Sequence, residues 1–345
     1  MEKIEVTSFL LGKEARNSGG GNMYKGAMIP EPINILSWEE YRQKWSLGEE
    51  RKILTEFPLH LDIELTSQCN LRCKMCWQNG LLKDEQQGLM EESVFKKIID
   101  EGLQHGLQAI KLQSRGESTL HPRIADFAKY AKDAGVRDVQ LTTNGMVFWK
   151  KQKRLEDLLI SGIDKLIFSI DAAHDESALE IYGAGNVPNV REIVKSAFLL
   201  RRNLGQKKPE IRVQASFSPP QAEQEVIAKL REEFPEANEL MADKVWITDV
   251  NVEGIADLRR GFELLPCSFL WTRLVVFWDG AVTLCCRDYN NAHRLGNVNH
   301  QSIQEIWLGE KMMGLRHAHL DGMRHKVAVC RNCELYISPK PAIES

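Results

Sequence analysis

The sequence lacks any apolar run close to the ~20 residues that a membrane-spanning helix requires. It also lacks a surplus of charge of one sign, because 45 Lys and Arg face 48 Asp and Glu and the two signs are interspersed. A nucleic-acid binder with a basic surface patch is therefore not expected. The start of the chain carries too many charges around a short apolar core to be a signal peptide. These absences predict a cytoplasmic protein that contacts neither membrane nor nucleic acid.

Cysteine is scarce, with eight residues in 345, but it is grouped. In the cytoplasm thiols stay reduced, so grouped cysteines more often bind metal than form disulfides. The first group lies in "CNLRCKMCWQ" and contains Cys69, Cys73 and Cys76 at spacings of four and three. The second group contains Cys267, Cys285, Cys286, Cys330 and Cys333.

Structural zinc is one interpretation of these groups, because Cys-x-x-Cys is common in zinc sites. A structural zinc site has four protein ligands, whereas the first group supplies three and the next Cys or His along the chain is His105. A zinc-stabilised binding protein is therefore the more distant alternative.

Between the two groups, strand-like and helical segments alternate. Strands are predicted at 60–66, 107–113, 138–143, 165–171, 210–217 and 244–250, and helices at 91–105, 122–134, 151–161, 189–202 and 221–232. Such β–α repeats form a parallel sheet that is curled or doubly wound.

Polar and apolar residues alternate along these strands, as in Gln140 and Thr142 against Val139 and Leu141. Each strand thus shows one apolar face to helices and one polar face to a wet space. A closed eight-stranded barrel fills its interior with apolar side chains. The pattern therefore predicts an incomplete six-stranded barrel around a polar cavity, and the alternative is a sheet with one solvated face.

The first cysteine group follows the first predicted strand, at the sheet edge where such folds have their active sites. From about residue 58 to residue 338 the sequence resembles the radical S-adenosylmethionine (SAM) enzymes. The resemblance implies an α/β fold with a partial (β/α)6 barrel, in which Cys69, Cys73 and Cys76 bind a [4Fe–4S] cluster and SAM chelates its fourth iron. A low-potential reductant such as flavodoxin or ferredoxin would reduce this cluster. Reductive cleavage of SAM would then yield a 5′-deoxyadenosyl radical that removes a hydrogen atom from the substrate.

Other segments resemble the SAM-binding positions of the family. Arg115, Gly116 and Glu117 stand where the family usually has Gly-Gly-Glu, so the first position departs from the pattern. Glu117 would accept hydrogen bonds from the SAM amino group, and Gly116 would let the backbone approach it. The full set of SAM-binding residues that the resemblance implies is Met75, Arg115, Gly116, Glu117, Asn144, Ser169, Asp171, Arg212 and Gln214.

The C-terminal cysteines resemble the SPASM/twitch extensions of radical SAM enzymes, which hold auxiliary [4Fe–4S] clusters. An Asp279-Gly280 hairpin turn precedes Cys285, and a helix capped at Ser302 precedes Cys330. No cysteine follows Cys333, which favours the shorter twitch form with one auxiliary cluster. The ligands implied are Cys267, Cys285, Cys330 and Cys333, whose separations of 18, 45 and 3 resemble those of the aminocyclitol-oxidising twitch dehydrogenase of butirosin biosynthesis.

The predicted organisation is an N-terminal extension over 1–55, the partial barrel over 56–255 and a small α+β auxiliary-cluster domain over 256–345. The function expected first is oxidation of a secondary alcohol of a sugar or aminocyclitol, with the auxiliary cluster as electron acceptor. The alternative is an epimerase, or a modifying enzyme for ribosomally made peptides, that uses Cys286 as hydrogen donor.

Two minor expectations concern single side chains. Without a donor role, Cys286 is expected to be a small residue beside a cluster ligand that points away from the cluster, into packing or solvent. His317, His319 and His325 lie at a polar helix end, where solvated side chains are expected.

Overall fold

The computed structural model describes residues 28–33, 37–73, 76, 87–170, 190–217, 223–244, 266–331 and 333 of the chain. Within these ranges the strands are β1 (Pro32–Ile33), β2 (Leu54–Thr55), β3 (His60–Ile63), β4 (Ala109–Lys111), β5 (Asp138–Thr143), β6 (Lys165–Ser169), β7 (Glu210–Phe217), β8 (Glu239–Lys244), β9 (Arg273–Val276), β10 (Ala281–Thr283) and β11 (Gly296–Asn297). The helices are α1 (Trp38–Glu49), α2 (Glu92–Gln104), α3 (Ile124–Ala134), α4 (Met146–Lys150), α5 (Gln152–Ile160), α6 (Val190–Asn203), α7 (Glu223–Glu233), α8 (Phe269–Thr272), α9 (Ile303–Leu308), α10 (Glu310–Leu320) and α11 (Ala328–Arg331). None of the helices in these ranges has the length and apolar character needed to cross a membrane.

Strands β3 to β8 pair in parallel and in chain order, which confirms the α/β fold with a central parallel sheet. The five predicted helices match α2, α3, α5, α6 and α7 closely. The last strand was predicted at 244–250, but β8 is Glu239–Lys244 and pairs with β7 along its whole length. Of the predicted strand only Lys244 is described, because 245–250 lie outside the described residues.

The alternation of polar and apolar residues along the strands is present in the folded chain. On β5, Val139 and Leu141 are fully buried under helices, whereas Gln140 and Thr142 are half-buried on the other face. Adjacent strands bring their polar positions into register, so that Lys111 lies between Asp62 on one side and Gln140 on the other. This polar face of β3 to β8, together with the residues that project over it, is called the lumen below.

The C-terminal region extends the barrel sheet, whose order continues from β3 through β9 and β10 to β11. Strand β9 is parallel to β3, and β10 returns antiparallel to β9. Val276 pairs with Val282, and the Gly280 N–H donates to Phe277 O at 2.9 Å. The turn therefore has the three loop residues 278–280, rather than the two predicted, because Gly280 at φ 80° follows a type I turn.

Helix α1, in the N-terminal extension, packs at the amino-terminal edge of the sheet. Ser37 caps it by accepting the Glu40 N–H at 3.1 Å. Tyr41 on its buried face packs with Leu59, just before β3, and with Ala109, the first residue of β4. The helix thus covers the end of the lumen that lies opposite to the first cysteine group.

Candidate active site

The first cysteine group occupies a loop that leaves β3 at the carboxyl-terminal edge of the sheet. Hydrogen bonds close the base of this loop: Thr66 Oγ1 donates to Gly88 O at 2.8 Å, and the Gly88 N–H donates to Ser67 Oγ at 3.0 Å. Inside it, the Cys76 N–H donates to Cys73 O at 2.9 Å. Met75, predicted to contact SAM, lies outside the described residues.

Cys69 is packed against the hydrophobic core at the start of this loop. Burial raises the pKa of its thiol to about 11, and Glu117 and Cys76 add to the shift. The thiolate form therefore needs a positive partner, which bound iron supplies. Soft thiolates are the preferred ligands of iron–sulfur clusters, so the loop fits such a group.

Glu117 joins the cysteine loop to the carboxyl ends of β4 and β5. Its Oε1 accepts the Thr119 N–H at 3.1 Å and the Thr143 hydroxyl at 2.7 Å, and its Oε2 accepts the Asn144 N–H at 2.7 Å. Asn144 Nδ2 in turn donates to Asn70 Oδ1 at 2.9 Å, inside the cysteine loop. These bonds position the loop, and the contact of Glu117 with the SAM amino group stays a prediction.

Gly116 lets two backbone segments approach each other closely, and its contact with SAM stays a prediction. A Cβ on this residue would lie 2.2 Å from Thr66 O and 2.5 Å from Gln68 O. The same approach lets the Glu117 N–H donate to Gln68 O at 2.8 Å. The glycine therefore sets the distance between the cysteine loop and the turn after β4.

Gly116→Ala is expected to displace the cysteine loop and to lower the iron bound by the first cysteine group at least several-fold. Backbone oxygens cannot move aside as a flexible side chain can, so the clash must shift the loop itself. Iron analysis and 5′-deoxyadenosine formation would measure the effect. Gly314→Ala is the matched control, because a Cβ there meets nothing within 4 Å and alanine favours the helix. Equal iron content in the two variants would contradict the role given to Gly116.

Arg115, predicted to contact SAM, is held by the barrel itself. Its Nε and Nη2 donate to the two carboxylate oxygens of Glu64 at 2.7 and 2.6 Å, and Nη1 donates to Tyr289 O at 3.0 Å. The guanidinium also stacks 3.6 Å from the centre of the Phe277 ring. Both partners of the ion pair are buried. Arg115 therefore connects the barrel to the C-terminal hairpin, which explains the departure from Gly-Gly-Glu.

The remaining predicted SAM residues divide into three cases. Arg212 is paired with Glu239, its Nε and Nη2 donating to the carboxylate at 2.7 and 2.6 Å. Ser169 and Gln214 lie side by side at half-buried positions where β6 and β7 approach the carboxyl edge. Asp171 lies outside the described residues. The SAM contacts of Arg115, Arg212, Ser169 and Gln214 all stay predictions.

The second cysteine group surrounds a buried cavity. Cys267, Cys285, Cys330 and Cys333 all line it. Most of the remaining wall is apolar and is formed by Phe269, Leu270, Leu284 and Val329. Burial raises the pKa of the Cys330 thiol to about 12 and that of Cys285 well above its usual value. Four thiols in an apolar cavity fit a cationic group that binds them as thiolates.

The four thiols that line this cavity suit either zinc or an iron–sulfur cluster, because both are bound by cysteine thiolates.

The two cysteine groups lie at opposite edges of the sheet. Thr283 pairs with Val275, and Val275 with Asp62, so the antiparallel β10 carries the chain toward the amino end of β3. Cys285 and Cys286 follow there, whereas the first cysteine group follows the carboxyl end of β3. The lumen extends between the two edges.

Cys286 faces away from the cavity that Cys285 lines, as the alternation of side chains predicts. Of the two surroundings expected for Cys286, packing and solvent, its exposure fits the second. Protein nevertheless surrounds it: burial and Asp62 raise the pKa of its thiol, whereas Arg273 and Lys111 lower it. A molecule bound in the lumen can therefore contact the Cys286 thiol.

The three C-terminal histidines were expected to be solvated, and this holds for His317 and His325. His319 is 1% exposed and lines the cysteine cavity. Burial, together with the charges of Arg324 and Arg51, lowers the pKa of His319 to about 3, so its ring is neutral. The helix carrying it has no clear apolar face in sequence, so no local pattern indicated that this position is buried.

Comparison with known families decides what these two cysteine sites belong to. Residues 63–203 match the radical SAM superfamily, and residues 267–334 match SPASM, an iron–sulfur cluster-binding domain. The chain contains a radical SAM domain followed by a SPASM domain. These two domains imply a SAM-binding [4Fe–4S] cluster and auxiliary iron–sulfur binding, as the family resemblance predicts.

Relatives of this radical SAM protein have differing roles. It is 25% identical over 299 residues to the tungsten-containing aldehyde ferredoxin oxidoreductase cofactor-modifying protein of Pyrococcus furiosus, covering 74% of this chain and 83% of the relative. Its fold is similar to that of BtrN, crystallised with AdoMet and 2-DOIA (TM-score 0.52, 21% identity, 80% and 92% of the chains). It is also similar to that of Streptococcus suis SuiB bound to its precursor peptide SuiA (TM-score 0.60, 14% identity, 83% and 74%). At these identities the two structures show a shared fold alone.

Proposed function

We propose that this radical SAM protein oxidises a secondary alcohol of a sugar or aminocyclitol to the ketone. The carbinol carbon would lose a hydrogen atom, the hydroxyl group a proton and the resulting radical one electron, so that the product is two hydrogens lighter than the substrate. The observation that carries the proposal is the polar lumen between two cysteine groups at opposite edges of one sheet. BtrN, a fold neighbour, is the twitch dehydrogenase of butirosin biosynthesis, and this supports the substrate class.

The bound cofactors would supply the hydrogen-abstracting radical from SAM at one edge and an acceptor for the second electron at the other. The protein binds the hydroxylated substrate between them. Glu117 and Asn144 hold the SAM-side loop, and Cys267, Cys285, Cys330 and Cys333 would ligate the auxiliary cluster. A low-potential reductant, flavodoxin or ferredoxin, would supply the first electron.

Lys111 is the best placed base for the hydroxyl proton. It lies on the lumen face between Asp62 and Gln140, and its ammonium group makes no hydrogen bond or ion pair to any residue that the structure describes. Burial lowers the pKa of Lys111 below its usual 10.5, although nearby Asp62 and Cys286 oppose the shift. A lowered pKa increases the fraction of Lys111 that is the neutral amine, and the neutral amine is the form that accepts a proton.

Lys111→Met is expected to lower kcat/KM for alcohol oxidation about 10²–10⁴-fold, the usual contribution of a general base. In the wild type, kcat/KM should rise with pH and then level off, because only neutral Lys111 accepts the proton. The apparent pKa of this rise should lie below 10.5. Lys165→Met is the matched control: this lysine shares the lumen face, but its Nζ lies 3.2 Å from Glu239. If Lys111→Met keeps the wild-type pH profile, Lys111 is not the base.

The second candidate function is epimerisation, or modification of a ribosomally made peptide. It is favoured by the accessible Cys286 thiol in the lumen, which could return a hydrogen atom to a substrate radical. SuiB, a fold neighbour, was crystallised with a precursor peptide, which makes a peptide substrate the alternative partner.

Mass spectrometry of reactions run in deuterated water separates the two functions. The dehydrogenase yields a product two hydrogens lighter, without deuterium at carbon, and Cys286→Ala still forms it. Deuterium incorporated at carbon by the wild type, together with loss of product in Cys286→Ala, would establish the thiol as hydrogen donor and overturn the dehydrogenase.

A further inference from the structure

His319 on α10 is buried between the polypeptide and the cysteine cavity. Its Nδ1 accepts a hydrogen bond from the backbone N–H of Cys267 at 3.1 Å. Because a backbone N–H can only donate, Nδ1 carries no proton, and the proton of the neutral ring is on Nε2. Cys267 therefore selects the tautomer of His319 and leaves Nε2–H as a donor.

That donor has no hydrogen-bond partner among the residues that the structure describes, although the atom is fully buried. His319 is 1% exposed and lines the same cavity as the four cysteines. The neighbouring wall residues Leu270 and Leu284 offer no side-chain acceptor. Buried donors are almost always paired, so the acceptor must be a group that fills the cavity.

We propose that the Nε2–H of His319 donates a hydrogen bond to a sulfur of the auxiliary cluster and thereby makes its reduction potential more positive. The inference rests on the proposed assignment of the four cysteines to that cluster. A hydrogen bond to a sulfide or thiolate stabilises the more negative, reduced cluster over the oxidised one. His319 is thus a positioning and tuning residue: it makes the auxiliary cluster a better acceptor for the substrate electron.

Two variants separate the effect of the Nε2–H donor from the effect of the Nδ1 acceptor. In His319→Asn, the side-chain oxygen replaces Nδ1 and can accept the Cys267 N–H, but no donor reaches the cavity. In His319→Gln, the side-chain amide replaces Nε2 and can donate into the cavity, but the bond to Cys267 is lost. The test is an EPR-monitored redox titration of the reconstituted full-length protein without substrate, in which the SAM-binding cluster is the internal reference.

The auxiliary cluster of His319→Asn should titrate at a more negative potential than that of the wild type, and His319→Gln should stay near the wild type. The SAM-binding cluster should not shift in either variant. An unchanged auxiliary potential in His319→Asn at full iron content would overturn the proposal, as would equal shifts in both variants.

A measurement on the wild type covers the case in which the variants lose the cluster. Protein labelled with ¹⁵N-histidine, studied by pulsed EPR in the reduced state, should show a ¹⁵N coupling to the auxiliary cluster. Its absence would overturn the inference whatever the variants do. Because no substrate is present, either result is independent of whether the enzyme is a dehydrogenase or an epimerase.

Discussion

Replacing Cys69, Cys73 and Cys76 together by alanine is expected to abolish SAM cleavage and to leave about half of the bound iron. The two cysteine groups lie at opposite edges of the sheet and share no residue, so losing one ligand set leaves the other intact. Without thiolates at the first loop there is no cluster for SAM to chelate. Iron and acid-labile sulfide analysis of anaerobically purified protein, with 5′-deoxyadenosine quantified, measures both effects.

Cys286→Ala is the control for this triple variant, because it also removes a thiol but lies outside both proposed ligand sets. It should keep the full iron content and full SAM cleavage in the absence of substrate. Full iron in the triple variant, or loss of a whole cluster in the control, would show that the ligands are assigned wrongly. Colourless protein without acid-labile sulfide would instead support the zinc interpretation.

Arg115→Met is expected to lower the free energy of unfolding by about 3–5 kcal/mol, the usual cost of leaving one partner of a buried ion pair uncompensated. Glu64 is fully buried, accepts both guanidinium bonds and also accepts the Trp278 N–H at 3.2 Å. Urea denaturation of the reconstituted protein measures the change. Arg123→Met is the matched control: its ion pairs with Glu92 and Asp126 are exposed, so its effect on the free energy of unfolding should be much smaller.

The cost of Arg115→Met should depend on pH in a definite direction. Burial raises the pKa of Glu64 even with Arg115 in place, and removing the guanidinium raises it further. Between the unfolded value of about 4.3 and the raised folded pKa, the native state binds more protons than the unfolded state, so stability falls as pH rises. The variant should therefore lose less stability in mild acid than at neutral pH.

The double variant Glu64→Met, Arg115→Met should recover much of the loss, because apolar side chains of similar volume can replace a buried ion pair. If the single variant is as stable as the wild type, the pair does not hold the barrel to the C-terminal hairpin. If the double variant is as unstable as the single one, packing rather than the uncompensated charge is responsible.

Sequence alone determined the features that repeat locally or depend on spacing. Alternating positions such as Val139 and Gln140 indicated the polar and apolar faces of the sheet, since a strand has a period of two. The motif of Cys69, Cys73 and Cys76 indicated the SAM-binding cluster through its resemblance to the radical SAM enzymes, which the sequence shows because the motif lies on one short loop. The α/β fold, the radical SAM family and the cofactors follow from these features, whereas the domain boundaries and the assignment of cluster ligands stay predictions.

Tertiary structure decided everything that depends on partners far apart in the chain. Arg115 and Glu64 are 51 residues apart, and only the pairing of β3 with β9 brings the hairpin backbone against them. His319 lies 52 residues from Cys267, and no helix periodicity indicated that its side chain would be buried. The sequence left packing or solvent open for Cys286, and the path of the chain after β10 makes it exposed near Asp62 and Lys111. Spacing and periodicity report on neighbours along one element, whereas burial and hydrogen bonding are set by the elements that pack against it.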